Sequence, residues 1–389
     1  MSNYTYVTTQ PALDSALATL KQTEELAFDL EFDRNYHAYG FNLCLIQVSD
    51  GHHAYLIDPF PEEINLSPLF QLFEKSGQRL IAFSCSEDIR LLHSLGCFPS
   101  DVCDLSLATH LLNYPPASLD SYLETILGID TAGSSQKSNW MKRPLTDEQI
   151  RYAARDVQHL HDLKEELFKQ AEEKQVLRWI QEENQQWNHA DFSDLKDPVV
   201  REKEKQNLTE YEWHIYKTAA HFFDRKAEIL NKPMYKVVQK HVLQRLARKP
   251  QSAGELHTIR GIHPALKKRG VSRDLANTLQ QAAEEAAEKK LSKTDPASKP
   301  PTREQKNERR EHRELVQQAK QELFDPIKAH IEKAYGEGTS TFLFSNRLVE
   351  EMVLDDNLTL PPYKEELIRQ TAKQLNLSTE PYLSFSENR

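Results

Sequence analysis

The stretch Glu25-Leu26-Ala27-Phe28-Asp29-Leu30-Glu31 is an apolar run that ends in two carboxylates. Its composition predicts a β-strand, in which successive side chains point to opposite faces of the sheet. Asp29 and Glu31 are two residues apart, so they share one face. A pair of this kind is also common at an ordinary polar strand edge, and the pair alone does not define a site.

Two further acidic residues stand in separate contexts. Asp88 follows the apolar run at residues 80–83 and opens a predicted helix, where an acid also favours the helix dipole without any function. Asp156 lies one helical turn after Tyr152, which is equally compatible with a buried tyrosine beside a solvated aspartate. Carboxylates gathered from distant segments repel each other unless a cation neutralises them, and Mg²⁺ does so together with substrate phosphate oxygens. The four acids therefore predict metal-assisted hydrolysis of a phosphodiester.

Strand and helix signals alternate over residues 1–200, which favours an α/β domain with a mixed sheet. Closely spaced β-rich runs at residues 26–32, 43–48 and 54–57 predict an antiparallel meander. Thr146-Asp147-Glu148-Gln149 is a capping-box pattern, and it predicts a helix that begins there and runs to about Glu173.

Strand signals nearly vanish from Leu208 onward. Residues 208–288 predict short helices, and residues 291–303 (LSKTDPASKPPTR) have the composition of a flexible linker. More helices are predicted beyond it. The expected organisation is an α/β domain at residues 1–200, followed by small all-α domains at residues 205–290 and 303–389.

Composition excludes several classes of protein. No run approaches the roughly 18 apolar residues that span a bilayer, and the first 20 residues lack the basic start and apolar core of a secretory signal. The four cysteines show no CxxC spacing and are expected to be buried free thiols in a reducing compartment. There is no GxxxxGK[ST] motif, so no ATP site is expected. These features predict a cytoplasmic protein without membrane or ATP binding, and we expect a monomer.

The net charge of −10 is divided unevenly along the chain. Residues 1–200 hold 15 Lys and Arg against 31 Asp and Glu, whereas residues 201–290 hold 19 against 11. An acidic first half suits cation binding, and a basic module beside it can hold a polyanion. A merely solvated surface is the alternative interpretation of the same numbers.

The acidic motifs, taken in order, resemble ribonuclease D, a member of the DEDD exonucleases with a motif tyrosine. The resemblance covers roughly residues 1–175. It lies in three blocks, of which the third is the most specific: Phe28-Asp29-Leu30-Glu31-Phe32; Ser86-Glu87-Asp88-Ile89; and Lys137-Ser138-Asn139-Trp140 through Arg143-Pro144-Leu145 to Tyr152-Ala153-Ala154-Arg155-Asp156-Val157.

The resemblance implies a ribonuclease H-like fold and 3′→5′ exonuclease activity with two metal ions, Mg²⁺ or Mn²⁺. It implies that Asp29, Glu31, Asp88 and Asp156 hold the metals and that Tyr152 orients the attacking water. A phenol that titrates near 10 keeps its proton at neutral pH and suits this role better than that of a free base.

Two positions depart from the family pattern, and one further position matches it. Phe83 stands where many relatives have histidine, and Asn139 stands where aspartate is frequent. Neither position is a metal ligand in the family, so the departures concern packing or substrate contacts. Asp104 matches a family position, and we interpret it as a helix cap.

Basic residues are candidates for contacts to RNA phosphates. Lys137 and Arg143 flank the catalytic helix, although solvated loop charges are an equal alternative. Residues 208–288 resemble the helicase-and-ribonuclease-D C-terminal (HRDC) module, which implies nucleic-acid binding. Within it Lys267, Lys268 and Arg269 form a basic cluster. Residues 303–389 resemble a second, degenerate copy of that module.

The expected function is that of a 3′→5′ exoribonuclease that removes nucleoside 5′-monophosphates from RNA with a free 3′ end. The resemblance implies tRNA precursors as the substrate class. Two alternatives remain open: a related DNA 3′→5′ exonuclease, and a noncatalytic nucleic-acid-binding scaffold. The intact set of four carboxylates and a tyrosine argues against the scaffold.

Overall fold

A computed structural model describes residues 3–130, 138–193, 198–298, 300–355, 358–380 and 382–383 of the chain. Among the described residues, six strands form one mixed sheet in the order β1-β4-β3-β2-β5-β6. The strands are β1 Tyr4–Val7, β2 Glu25–Arg34, β3 Phe41–Ser49, β4 Ala54–Ile57, β5 Arg79–Ala82 and β6 Val102–Asp104.

The predicted antiparallel meander is present as β2, β3 and β4. Strand β1 pairs parallel with β4, while β5 pairs parallel with β2 and with β6. A register shift between Glu31 and Phe32 interrupts the β2–β3 ladder directly after the second acid. The expected α/β domain with a mixed sheet is therefore confirmed.

Helices cover both faces of the sheet and form most of the described structure beyond it. Around the sheet they are α1 Gln10–Leu20, α2 Ser67–Phe73, α3 Ser86–Ser94, α4 Leu105–Leu111, α5 Leu119–Tyr122, α6 Asp147–Gln158, α7 Leu160–Glu173, α8 Leu177–Asn184 and α9 Gln186–His189. Beyond it they are α10 Glu210–Ile229, α11 Met234–Val237, α12 Lys240–Arg248, α13 Arg269–Glu288, α14 Arg303–Ala319, α15 Asp325–Tyr335, α16 Glu337–Leu343, α17 Asn346–Leu354 and α18 Pro362–Gln374.

The alternation of side chains along β2 separates two hydrophobic clusters. Leu26, Phe28 and Leu30 pack with α1, α2 and α3 on one face. Ala27 faces the opposite side with the α4 and α7 residues. Because the strand period is two residues, Asp29 and Glu31 share the face of Ala27. This is the face that α6 covers.

The expected continuous helix from Thr146 to about Glu173 is wrong in one respect. The capping box at Thr146 and Gln149 is present, but the helix ends at Gln158 and a new one begins at Leu160. Between them His159 has φ −111° and ψ 5°, outside helical geometry. The break allows α6 to lie over β2, β3 and β4 while α7 packs against α4 and β5.

Helices α10 to α13 surround a hydrophobic cluster of their own, which includes Tyr216, Phe223, Leu246 and Leu279. We call residues 205–290 the helical module. The expected helices are present in this segment, and the predicted membership of the HRDC type remains a prediction.

Residues 303–389 were expected to form a separate helical domain, but their described helices share a core with the α/β domain. Phe324, Ile331 and Phe344 belong to the same cluster as Leu163 and Ile180. Lys364 of α18 makes a buried ion pair of 2.8 Å with Glu183 of α8. The similarity of this segment to the helical module remains a prediction.

A glycine fixes one contact of these C-terminal helices. Gly336 has φ +95°, a backbone conformation that L side chains rarely adopt, and a Cβ there would lie 2.2 Å from the Asn113 side chain. The Asn113 side chain also accepts a hydrogen bond of 2.7 Å from the Gly338 backbone amide.

All four cysteines are buried and free, as expected. Across the described ranges, none of the helices combines the length and apolar character needed to cross a membrane.

Candidate active site

The parallel pairing of β2 with β5 brings the acidic residues to one place. The carboxyl ends of these two strands meet at the same edge of the sheet. Helix α3 begins shortly after β5 and carries Asp88 in its first turn, so Asp88 reaches the end of β2. Helix α6 lies over β2 with Tyr152 and Asp156 directed at the strand, and the small residues Ala153 and Ala154 pack closely against the sheet.

Three carboxylates meet closely at this point. Oxygen atoms of Asp29, Glu31 and Asp156 all lie within 4.8 Å of one another. Asp88 is 7% exposed and lines the same cleft, which has a volume of about 930 Å³, and so does Tyr152. The structure thus brings together all five residues predicted from the three separate motifs.

Burial and mutual repulsion disfavour the charged forms of these acids. Burial raises the pKa of Asp29 to about 7. Burial, together with the charges of Asp29, Asp156 and Asp88, holds the pKa of Glu31 well above its usual range. Burial and the charge of Asp29 likewise raise the pKa of both Asp88 and Asp156.

The donor set fits a hard divalent cation. Buried carboxylates at this spacing provide oxygen ligands of the kind that Mg²⁺ and Mn²⁺ prefer. A cation between them would offset the repulsion that raises their pKa values.

The Tyr152 side chain lines the same cleft as Asp156, one helical turn away on α6. Burial, followed by the charges of Asp156, Glu31 and Asp29, raises the pKa of Tyr152 above its ordinary value. The phenol therefore keeps its proton and can act as a hydrogen-bond donor at neutral pH. Its ring lies 6.2 Å from the Trp140 ring, centroid to centroid.

Asp104 is a structural residue, as the sequence predicted. Its carboxylate accepts hydrogen bonds from the backbone amides of Ser106, Ser84 and Cys85. The first caps α4, and the other two fix the backbone that leads into α3 and therefore into Asp88.

The candidate phosphate contacts lie in different surroundings. Lys137 lies outside the described residues. The Arg143 guanidinium is engaged within the protein: it pairs with Asp58 at 2.5 Å and donates to the Cys44 carbonyl at 2.6 Å. This geometry favours a structural role over contact with substrate. Lys267, Lys268 and Arg269 precede and begin α13, far along the chain from the acids, and the last two are exposed.

Phe32 of the first motif and Phe83, which departs from the family pattern, both line the cleft. Phe32 packs edge-on against Phe41, with 5.1 Å between ring centroids. Phe83, in the place of the family histidine, packs against Tyr122 at 5.6 Å. Both rings therefore combine packing with exposure to the cleft.

Sequence reasoning missed several residues that also line the cleft, among them Tyr36, His37 and Asp120. Tyr36 and His37 lie in the β2–β3 loop, and their one sequence signal is their position shortly after the acidic strand. Asp120 pairs with Arg155 at 3.2 Å, and its charge contributes to the raised pKa of Asp156. Long-range pairing of this kind leaves no sequence signal.

Comparison with known proteins identifies the domain that carries this site. Residues 4–172 match the family model described as a 3′-5′ exonuclease. A ribonuclease D of Shewanella sp. is 29% identical over 287 residues, which are 72% of this chain and 73% of the relative. A ribonuclease D of Bartonella henselae is 27% identical over 279 residues, which are 71% of this chain and 68% of the relative.

A solved structure extends the similarity of fold to the rest of the chain. The crystal structure of Escherichia coli RNase D, described as an exoribonuclease involved in structured RNA processing, matches with a TM-score of 0.68. It is 22% identical and the match covers 96% of this chain and 99% of that one. The sequence-based resemblance is therefore confirmed: residues 4–172 match the 3′-5′ exonuclease family model, and the chain is similar to ribonuclease D over most of its length.

Proposed function

We propose that this protein is a 3′→5′ exoribonuclease that hydrolyses the terminal phosphodiester bond of RNA with two divalent metal ions. The observation that carries the proposal is the meeting of Asp29, Glu31 and Asp156 oxygens within 4.8 Å, inside a 3′-5′ exonuclease domain. The two relatives described above, which match over about 70% of this chain, are named ribonuclease D, and this favours RNA over DNA as the substrate.

The residues of the cleft would have two roles, binding of the metal ions and orientation of the attacking water. Asp29, Glu31, Asp88 and Asp156 would hold the ions, whose chemistry is to lower the pKa of a water molecule and to stabilise the leaving 3′ oxygen. Tyr152, which keeps its proton, would donate a hydrogen bond that orients the water. The buried surroundings limit the freedom of each side chain, so little reorganisation is needed when substrate binds.

The helical module would hold the body of the RNA while the 3′ end enters the acidic cleft. We assign it to the HRDC type, with Lys267, Lys268 and Arg269 as phosphate contacts. We propose structured RNA, with tRNA precursors as the main class, as the substrate of a cytoplasmic, monomeric enzyme. Changing these three residues to alanine should reduce the salt dependence of RNA binding, by a slope of about 2 if each contacts one phosphate. An unchanged slope would remove this cluster from the model.

The central experiment compares matched RNA and DNA oligonucleotides with free or blocked 3′ ends, in the presence of Mg²⁺ or Mn²⁺. Wild-type protein should release nucleoside 5′-monophosphates from RNA with a free 3′ end only. Asp29→Asn should abolish release while RNA binding remains nearly unchanged. Asp14→Asn, an exposed carboxylate on α1, is the matched control and should be fully active.

Two results would contradict the proposal. Trimming by Asp29→Asn at the wild-type rate would show that the acidic cluster is not the reaction centre. Full activity in excess chelator would show that the reaction needs no divalent ion. Preferential release from DNA would instead favour the related DNA exonuclease.

A further inference from the structure

The β2–β3 loop, residues 35–40, forms part of the rim of the acidic cleft, and hydrogen bonds to Asp33 hold its backbone in place. Buried Asp33 accepts hydrogen bonds from the backbone amides of Tyr36 at 3.3 Å, His37 at 2.9 Å and Ala38 at 3.0 Å. This arrangement fixes the backbone but leaves the Tyr36 ring 65% exposed. Tyr36 is therefore a large aromatic side chain presented on a rigid support beside the cleft.

The helical module holds the same loop from the other side. The Tyr39 hydroxyl donates to Asp224 at 3.0 Å, and the Tyr39 backbone amide donates to the Asn231 side chain at 3.2 Å. The Tyr235 hydroxyl donates to the Tyr36 carbonyl at 2.9 Å. These contacts join segments almost 200 positions apart in sequence, so the rim of the cleft is built by two parts of the chain.

The last of these contacts places two exposed aromatic residues next to each other. Tyr235 is 55% exposed, and its hydroxyl is hydrogen-bonded to the backbone carbonyl of Tyr36. Exposed Lys236 has its Nζ 5.6 Å from the centroid of the Tyr235 ring. A single exposed tyrosine needs no explanation. Tyr36 and Tyr235, however, come from different parts of the chain and are held together beside the cleft, next to a lysine. Such an arrangement is suited to binding single-stranded nucleic acid.

We propose that Tyr36 and Tyr235 form an aromatic platform on which unpaired bases of the RNA stack just before the strand enters the cleft. This inference rests on the proposed function. Stacking suits the location because the acidic cleft repels phosphates, whereas an aromatic face binds any base without a positive charge. Lys236 would contact a phosphate of the same segment. The platform would explain how a strand passes from the module to the acids with its bases separated.

The test is RNA binding in the presence of chelator, so that no hydrolysis occurs. The probe is a single-stranded octaribonucleotide labelled at its 5′ end, and fluorescence anisotropy gives its affinity. Tyr36→Ala and Tyr235→Ala should each weaken binding by about 5-fold to 150-fold, the range expected for the loss of one stacked base. Tyr36→Phe keeps the ring and should bind with nearly wild-type affinity. Tyr235→Phe keeps the ring but loses the hydrogen bond to the Tyr36 carbonyl, so it should lose less affinity than Tyr235→Ala.

A blunt RNA duplex is the second probe, because its bases are not available for stacking on protein. The alanine variants should bind it as wild type does. Unchanged affinity of both alanine variants for the octamer would overturn the platform, and so would an equal loss for the duplex. Melting temperatures check that all four variants are folded. Because hydrolysis plays no part in this assay, failure of the wild-type protein to degrade RNA would refute the proposed function separately.

Discussion

At the scale of single residues, Tyr152 combines a partly buried phenol with three neighbouring carboxylates, and its raised pKa keeps it protonated. Tyr152→Phe preserves the ring beside Trp140 but removes the donor. We expect kcat to fall about 100-fold or more, the usual contribution of a positioned proton-transfer or hydrogen-bonding group. Single-turnover release of the terminal nucleotide measures it. Mn²⁺ affinity, measured by calorimetry, should remain unchanged, and a variant with wild-type kcat would exclude Tyr152 from the reaction.

The raised pKa of Asp29 predicts a pH dependence of stability in the metal-free protein. An unfolded aspartate titrates near 4, whereas Asp29 in the folded protein titrates at about 7. Between these values the folded state binds more protons, so its free energy of unfolding should fall as pH rises from about 4 to about 7 and then level off. Because other groups also titrate, the quantity to measure is the difference between wild type and Asp29→Asn in chelator.

Added Mn²⁺ is the control for this difference in pH dependence between wild type and Asp29→Asn. Excess Mn²⁺ should remove the wild-type pH dependence that Asp29 causes, because a bound cation favours the charged carboxylates. If the two proteins show parallel pH profiles in chelator, Asp29 does not titrate as its surroundings indicate.

At the scale of elements, Arg143 and Asp58 fasten the segment before α6 to the end of β4. The Asp58 side chain is 4% exposed, and Arg143 also bonds the Cys44 carbonyl of β3 and stacks on Phe60. Burial raises the pKa of Asp58, but its bonds to Arg143 and Tyr6 outweigh this and lower it overall.

Arg143→Ala should lower the free energy of unfolding by about 3 kcal/mol, near the lower end for breaking a buried ion pair. Urea denaturation measures it. Arg178→Ala is the comparison, because the Arg178 side chain is itself exposed and its pairs with Glu182 and Glu366 should contribute less. Equal effects of the two substitutions would mean that Arg143 does not stabilise the fold as its contacts indicate.

Much at this scale was predictable from the sequence, because short-range patterns carry it. The alternation along β2 predicted that Asp29 and Glu31 share a face, and the Thr146 capping box predicted the start of α6. The end of α6 at Gln158 was not predictable, since helical periodicity continues through His159. The helix ends there because α6 packs on the sheet while α7 packs against α4 in a different direction. Arg143 was a candidate phosphate contact, with a solvated loop charge as the alternative; its pairing with Asp58 was not predictable, because the two residues are 85 positions apart.

At the scale of the whole molecule, helices α15 to α18 complete the core of the exonuclease domain. Tyr363 is buried, stacks on Trp179 and donates its hydroxyl to Glu183. Thr339 bonds the carbonyls of His110 and Leu111. The sequence could not reveal this arrangement, because amphipathic helices show that one face is buried but do not show against what.

Removal of residues 303–389 should therefore destabilise the exonuclease domain itself. The exposed faces of α4, α7 and α8 should bind a hydrophobic dye, and the melting temperature should fall well below that of the full chain. Lys364→Met is a milder variant that leaves the largely buried Glu183 carboxylate without its positively charged partner, and it should lower stability in the same direction. A truncated protein as stable as the full chain would show that the C-terminal helices form an independent unit.

The shared core also has a consequence for folding of the protein. The hydrophobic cluster that includes Ala27 also includes Leu383, so this core joins residues that lie far apart along the chain. Contacts between distant residues form slowly, because the loop between them must close before they contribute any stability. Folding of this core should therefore be slower than folding of the helical module, whose buried cluster lies within residues 208–282.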